Sequence, residues 1–254
     1  MCHLEDEMYP RFEPSYFPDA HLIKELEDIR ADGAFFASLD NDLEVFILRH
    51  GQSEGNARNT FQGRYDFPLS VQGEKEARQA GEWLRQFKPD YILASPMLRA
   101  KRSAEIVASA INIDHIELDD NLIEVDTGIF SGLNPEIAAQ RHPKIWDDFY
   151  KRSWDAIPEA ESSQSIYARA IMAWQHIREI AAKGASRIVC ITHGGLLQWL
   201  IRSTLGVHDW LPLLPISNCC ISKYEIEIIK RNSIAFAQWT LINFHPLESS
   251  DRAR

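Results

Sequence analysis

From Leu43 onward two periodicities take turns along the chain. Short, largely apolar runs (EVFIL, DYILAS, RIVCIT) have the length of buried strands, and HIELDD, with Ile116 and Leu118 alternating with polar residues, reads as another strand. Between them, apolar residues recur every three or four positions. In GEKEARQAGEWLRQF the stripe is Ala77, Ala80, Trp83, Leu84 and Phe87, which predicts a helix. MLRAKRSAEIVASA, SSQSIYARAIMAWQHIREIAAKG and GGLLQWLIRSTLG predict further helices, the middle one closed by Gly184 as a C-cap. NPEIAAQRHPKIWDDFYKR predicts helix interrupted at a proline. NCCISKYEIEIIK and SIAFAQWTLINF predict a closing hairpin across the Lys230–Asn232 turn. Strands that alternate with helices, and that are apolar at nearly every position, imply an α/β domain: a mostly parallel central sheet with helices on both faces.

The pattern places this domain at residues 43–247, with a small cap segment at 127–165 and a polar tail at 248–254. Residues 1–42 read as an N-terminal extension. It gathers Tyr9, Pro10, Phe12, Pro14, Tyr16, Phe17 and Pro18, then a short amphipathic stretch with Leu22, Ile23, Leu26 and Ile29 on one stripe. An extension of this length is too short for a domain. It reads either as a strap over the main fold or as an arm for a protein partner.

Composition narrows the functional classes. The 254 residues are 45% hydrophobic and carry a formal charge of -10, which argues against nonspecific binding to nucleic acid or to an anionic membrane. An anionic small substrate remains compatible, because a local arginine cluster can dominate one pocket. No run approaches the about 20 apolar residues of a membrane helix, and the acidic MCHLEDEMYPRFEP lacks the features of a signal peptide. A cytoplasmic protein is expected. Cys2, Cys190, Cys219 and Cys220 show no CxxC or Cys/His ligand spacing and read as free thiols.

Open α/β sheets bind ligands beyond the carboxyl ends of their strands, so the residues that follow each apolar run carry the chemistry. They are Arg49-His50-Gly51, Ser95 to Arg99, Asn121 to Glu124, and His193-Gly194-Gly195. Each alone has a plainer reading: a packing histidine, a solvated arginine, a surface carboxylate. Together they supply two arginines, two histidines and a carboxylate, which would make a compact anion site with a nucleophile and an acid. No HxxxH pattern competes.

LRHGQSEGN, FQGRYDFPLSVQGEKEARQAG, SPMLRAKRSAEIV, LIEVDTGIFSGL and ITHGGLLQWLI occur in that order. In them the chain resembles the histidine phosphatase superfamily, in its phosphoglycerate mutase-like branch, over about residues 43–225. The resemblance implies that His50 is the nucleophile, and that Arg49, Arg99 and His193 surround the phosphoryl oxygens. It implies that Glu124 is the proton donor, with Asp126 and Asp120 as rivals. Asn56, Gln62, Gly63 and the backbone of Gly194 would meet the phosphoryl group or the substrate. It implies a small phosphorylated substrate, no metal and no organic cofactor, and it leaves room for a homodimer.

Within the branch, mutases carry an arginine after the acid, another pair position after "IW", and tryptophan before the asparagine of the first motif. Here Val125, Asp147-Asp148 and Gly55 stand there. PEAESSQS, with Glu161-Ser162, resembles the "GES" segment of the phosphatases. The expectation is a phosphomonoester hydrolase. The alternatives are a cofactor-dependent phosphoglycerate mutase and a weakly catalytic phospho-ligand-binding protein.

Overall fold

The computed structural model describes residues 9–209, 213–229 and 234–246. Strands β1 (Leu43–Arg49), β2 (Tyr91–Ala94), β3 (Glu117–Leu118), β4 (Arg187–Thr192), β5 (Ile221–Ile229) and β6 (Ile234–Phe244) form one sheet in the order β3-β2-β4-β1-β5-β6. The first four of that order run parallel, and β5 and β6 close the sheet antiparallel. The turn expected at Lys230–Asn232 and the tail at 248–254 lie outside the described residues.

The helices are α1 (Ala20–Leu26), α2 (Gly33–Phe36), α3 (Glu54–Ala57), α4 (Val71–Leu84), α5 (Leu98–Ile111), α6 (Pro135–Arg141), α7 (Pro143–Arg152), α8 (Ser163–Ala182) and α9 (Gly194–Leu205). In β1, Val45 and Ile47 enter one core while Phe46 and Leu48 enter the other, so both faces of the strand are buried. The Phe46 face meets Ala77, Ala80 and Leu84 of α4 and Ala104 and Val107 of α5. The Val45 face meets Trp174 and Ile177 of α8 and Leu197 and Trp199 of α9. Small residues on α4 let it lie close: a Cβ on Gly81 would sit 2.6 Å from Ala110 Cβ.

Two expectations are corrected. HIELDD is strand only at Glu117–Leu118. The Asp119 side chain accepts from Asn121 N at 2.8 Å and turns the chain into a 3-10 turn, Asp120–Leu122. The predicted upstream helix ends early at Leu26, and a second one, α2, follows it with Asp32 as its N-cap. Leu26, Ala31, Phe36 and Leu39 are all buried in the core over α8 and β5.

In the cap segment the helix breaks at His142, where Pro143 opens α7, as the proline implied. Its base is closed by the Thr127–Ala160 bridge and by Glu161 N donating to Asp126 O at 3.0 Å. Phe61, Phe130, Trp146, Phe149 and Trp154 pack together, with ring centroids 4.9–6.3 Å apart along the contacts.

Candidate active site

The parallel ladder pairs Arg49 with Thr192, so β1 and β4 end side by side. The next residues are His50 and His193. His50 N donates to Thr192 O at 2.9 Å, and the two imidazole rings lie 5.0 Å apart. Ser95, at the end of β2, continues the row through its N–H on Ile191 O at 2.9 Å. Three strand ends therefore deliver a fixed row of side chains.

His50 is fully enclosed, and its Nδ1 lies 2.6 Å from Gly51 O. A carbonyl only accepts, so the neutral ring keeps its proton on Nδ1 and leaves the Nε2 lone pair free. Burial lowers the proton affinity of His50 well below the ordinary value of 6.5, and the Arg99 and Arg49 charges lower it further. His193 is depressed in the same direction by burial, then by Arg99, His50 and Arg49. Its Nε2 is 2.8 Å from Ser95 Oγ.

Arg49 and Arg99 are tethered by backbone carbonyls rather than by carboxylates. Arg49 Nη1 donates to Ile216 O at 2.7 Å. Arg99 Nη1 and Nη2 donate to Tyr65 O at 2.9 Å and Gly63 O at 3.1 Å. Burial lowers both arginines, Arg99 to about 10, so both stay charged at neutral pH. Arg49 Nε, Arg99 Nε and His193 Nδ1 are buried polar atoms without a partner. Unpartnered buried donors are costly, and an anion placed among these three would satisfy them.

Glu124 comes from the loop after the Asp120–Leu122 turn. Its carboxylate accepts from Gly195 N at 3.3 Å and Leu196 N at 3.2 Å, in the first turn of α9. A Cβ on Gly195 would sit 2.5 Å from Glu124 Oε1, so a side chain there would press on the acid as it now lies. Arg49 and Arg99 both feel its charge. Gly194 opens the same helix against Arg49, whose Nε would lie 3.2 Å from a Cβ at that position. The rivals are engaged elsewhere: Asp126 with Arg11 and Gly128 N, and Asp120 with Ser15.

Asn56 and Gln62 meet through Ser53. Asn56 is the N3 residue of α3 in a capping box, and Ser53 Oγ lies 2.9 Å from Asn56 Oδ1 and 2.7 Å from Gln62 Oε1. The Gln62 side chain crosses Gly55, where a Cβ would stand 2.6 Å from Gln62 Cγ and Cδ. Gly63, at φ 51°, contributes its carbonyl to Arg99. Of the nine residues singled out from sequence, Arg49, His50, Gly63, Arg99, Glu124, His193 and Gly194 are joined by direct contact or by charge, while Asn56 and Gln62 meet through Ser53.

Three supporting residues were missed. Ser95 faces His193, and Ser103 Oγ accepts from Gly51 N at 3.1 Å. Arg169, enclosed in α8, pairs with Glu161 at 2.8 Å and donates to Asn121 O and Ile123 O at 2.9 Å each, holding the loop of Glu124. An arginine on the buried stripe of an apolar helix was the available signal. His176, to which no role was given, bonds Asp119 Oδ2 and Glu117 Oε1 at 2.8 Å each.

The sequence pattern of the histidine phosphatase superfamily (branch 1) matches residues 45–237. The chain belongs to this superfamily. A probable phosphoglycerate mutase GpmB of Salmonella arizonae is 32% identical over 187 residues, 73% of this chain and 86% of that protein. Among solved structures, a mycobacterial glucosyl-3-phosphoglycerate phosphatase superposes with a TM-score of 0.68 at 23% identity, covering 80% of this chain and 99% of that one. A phosphoglycerate mutase from Bacillus anthracis superposes with a TM-score of 0.66 at 21% identity, covering 83% and 94%. The superfamily's fold is thereby common to phosphatases and mutases alike. Among the described residues no helix is long and apolar enough to cross a membrane.

Proposed function

We propose that this protein hydrolyses a small phosphomonoester through a phosphohistidine on His50. The observation that carries the reading is the enclosed His50 ring, with Nδ1 against Gly51 O, set beside the unpartnered donors of Arg49, Arg99 and His193. In this reading His50 Nε2 attacks phosphorus. The three donors and the two guanidinium charges hold the phosphoryl oxygens, where charge spreads in the transition state. Glu124 gives a proton to the departing alcohol oxygen. It then takes one from the water that attacks the phosphohistidine, which releases inorganic phosphate and restores the imidazole.

Hydrolysis is favoured over return of the phosphate by the charges around the cavity. A mutase must hold a second anionic group while the first is on the enzyme. The cations nearby are already matched: Arg58 with Glu54 at 3.5 Å, and Arg64 with Asp126 and Glu161 at 3.7 Å each. Val125, after the acid, is buried and apolar. The Gln62 side chain fills the space over Gly55 where a larger residue would stand.

The mutase reading keeps one support, the name of the Salmonella relative. One experiment separates the two. Purified protein is assayed with chelator present on an aryl phosphate, on a panel of phosphoesters, and for interconversion of 2- and 3-phosphoglycerate with a bisphosphate primer. Release of inorganic phosphate that is abolished in His50→Ala is expected. Interconversion faster than release would replace hydrolase by mutase, and full activity in His50→Ala would end the phosphohistidine reading.

A further inference from the structure

Upstream of the residues shared with the superfamily, residues 9–17 run as irregular chain against the loops that carry candidate site residues. Their contacts fall on three separate segments, each of which carries a candidate site residue.

The first is the loop that orients Arg99. Phe12 N donates to Arg64 O at 2.8 Å, Asp66 N donates to Pro10 O at 2.9 Å, and Arg11 bridges Tyr65 in antiparallel fashion. Residues 64 and 66 thus turn to the strap while the carbonyls of Gly63 and Tyr65 turn to the Arg99 guanidinium. Alternation along an extended chain produces this split: one edge is tied to the strap and the other aims the phosphate-facing arginine. Asp66 also accepts from Leu98 N at 2.8 Å, locking the start of α5.

The second is α3. The Tyr9 ring packs on Phe67 with centroids 4.3 Å apart. Its hydroxyl donates to Glu54 at 2.5 Å and accepts from Arg58 at 3.0 Å, so the strap grips both ends of the short helix that presents Asn56. The third is the loop of Glu124. Arg11 pairs with Asp126, and Ser15 donates twice to Asp120, from N at 2.6 Å and from Oγ at 2.5 Å. The Phe17 ring lies 4.6 Å from the Arg64 guanidinium and 5.8 Å from that of Arg169, the residue holding Asn121 O and Ile123 O.

We propose that residues 9–17 are a positioning element of the active site, tying the Asn56, Arg99 and Glu124 segments to one another from outside, in addition to the Ser53–Leu69 bridge that joins the first two. The strap touches no reacting atom. It acts by holding Arg99 and Glu124 at the spacing that His50 requires, a geometry whose loss by about 1 Å can cost 10²-fold. The inference rests on the catalytic reading above for its effect on turnover, but its effect on anion binding stands apart from it.

The test uses the full chain. Phe12→Pro removes the N–H given to Arg64 O. Arg11→Ala removes the pair with Asp126, and Arg11→Lys keeps a cation there. Leu26→Ala, in the buried face of α1, serves as a matched destabilised control. Binding of orthovanadate is measured by calorimetry, alongside kcat and KM on an aryl phosphate. Phe12→Pro and Arg11→Ala should each weaken vanadate binding and lower kcat at least tenfold, Arg11→Lys should recover most of the loss, and Leu26→Ala should lower Tm without changing either constant.

Wild-type binding and kcat in both Arg11→Ala and Phe12→Pro would overturn the proposal. So would parallel losses in Leu26→Ala, which would mean general destabilisation. If Phe12→Pro fails to fold, the Arg11 pair of variants decides. A wild type that binds vanadate but turns over no phosphoester would remove the hydrolase reading, and the strap would then be judged on binding alone. A wild type that binds no vanadate would overturn both.

Discussion

Ser95 Oγ stands 2.8 Å from His193 Nε2, and the opposite ring nitrogen of His193 is buried with no partner. If the hydroxyl donates to Nε2, the proton of the neutral ring must sit on Nδ1, where it can be given to a phosphoryl oxygen. Ser95→Ala should lower kcat about 10²-fold by misplacing this donor, with little change in Tm. Nitrogen chemical shifts of His193 should show mixed tautomers in the variant. A single unchanged tautomer and unchanged kcat would end this account.

Glu124→Gln should separate substrates by their leaving groups. An alkyl phosphate needs a proton on its departing oxygen and should lose about 10²–10⁴-fold. An aryl phosphate with an acidic phenol should lose far less in the first step. The two losses are compared at steady state and in a single turnover. Equal losses would move the acid to another residue.

Gly195→Ala should act on the same carboxylate from the other side, since the new Cβ would stand 2.5 Å from Glu124 Oε1. The expected outcome is a lower kcat on alkyl phosphates with binding of vanadate retained. Unchanged turnover would show that the carboxylate has room to shift.

The pH dependence follows from the direction of the histidine shifts. His50 and His193 have depressed proton affinities in the fold, so the unfolded chain binds protons that the folded one refuses below about pH 6.5. Stability should therefore fall as the solution is acidified from there, and His50→Asn should flatten the fall. His176 is raised, first by its bond to Asp119, and contributes the opposite slope. Its stabilisation is complete below the ordinary value and fades as pH rises through the higher folded one. His176→Gln should remove that loss just above pH 6.5. Thermal unfolding against pH reads both.

Phe36 lies outside the residues shared with the superfamily, yet it is fully buried, with its ring 6.0 Å from Trp174 and 6.3 Å from Tyr224. Phe36→Ala should cost about 3–5 kcal/mol, measured by urea unfolding. A cost under about 1 kcal/mol would mean that this part of the extension is dispensable to the core.

The row of strand ends was legible because apolar runs announce buried strands and the polar residues after them have only one place to go. Glu124 was placed near the site by its position after HIELDD, but its role came only from the resemblance, since its mount is a loop without periodicity. HIELDD misled because its alternation of Ile116 and Leu118 with polar residues suits a strand, while Asp119 takes the backbone N–H of Asn121 for a turn. The part played by Tyr9, Arg11 and Ser15 left no trace in periodicity. Their partners are 45 to 115 residues away, and irregular chain paired to irregular chain has no repeat to read.

The Arg49–Thr192 register pair places His50 and His193 on neighbouring rails of one ladder, while Glu124 rides on a loop pinned by Arg169 and by the first turn of α9. The two imidazoles and the carboxylate are therefore mounted on separate parts of the fold. Under the proposed function, exchanges in the loop that carries Glu124 would move the acid without altering the histidine spacing, since that spacing belongs to the sheet.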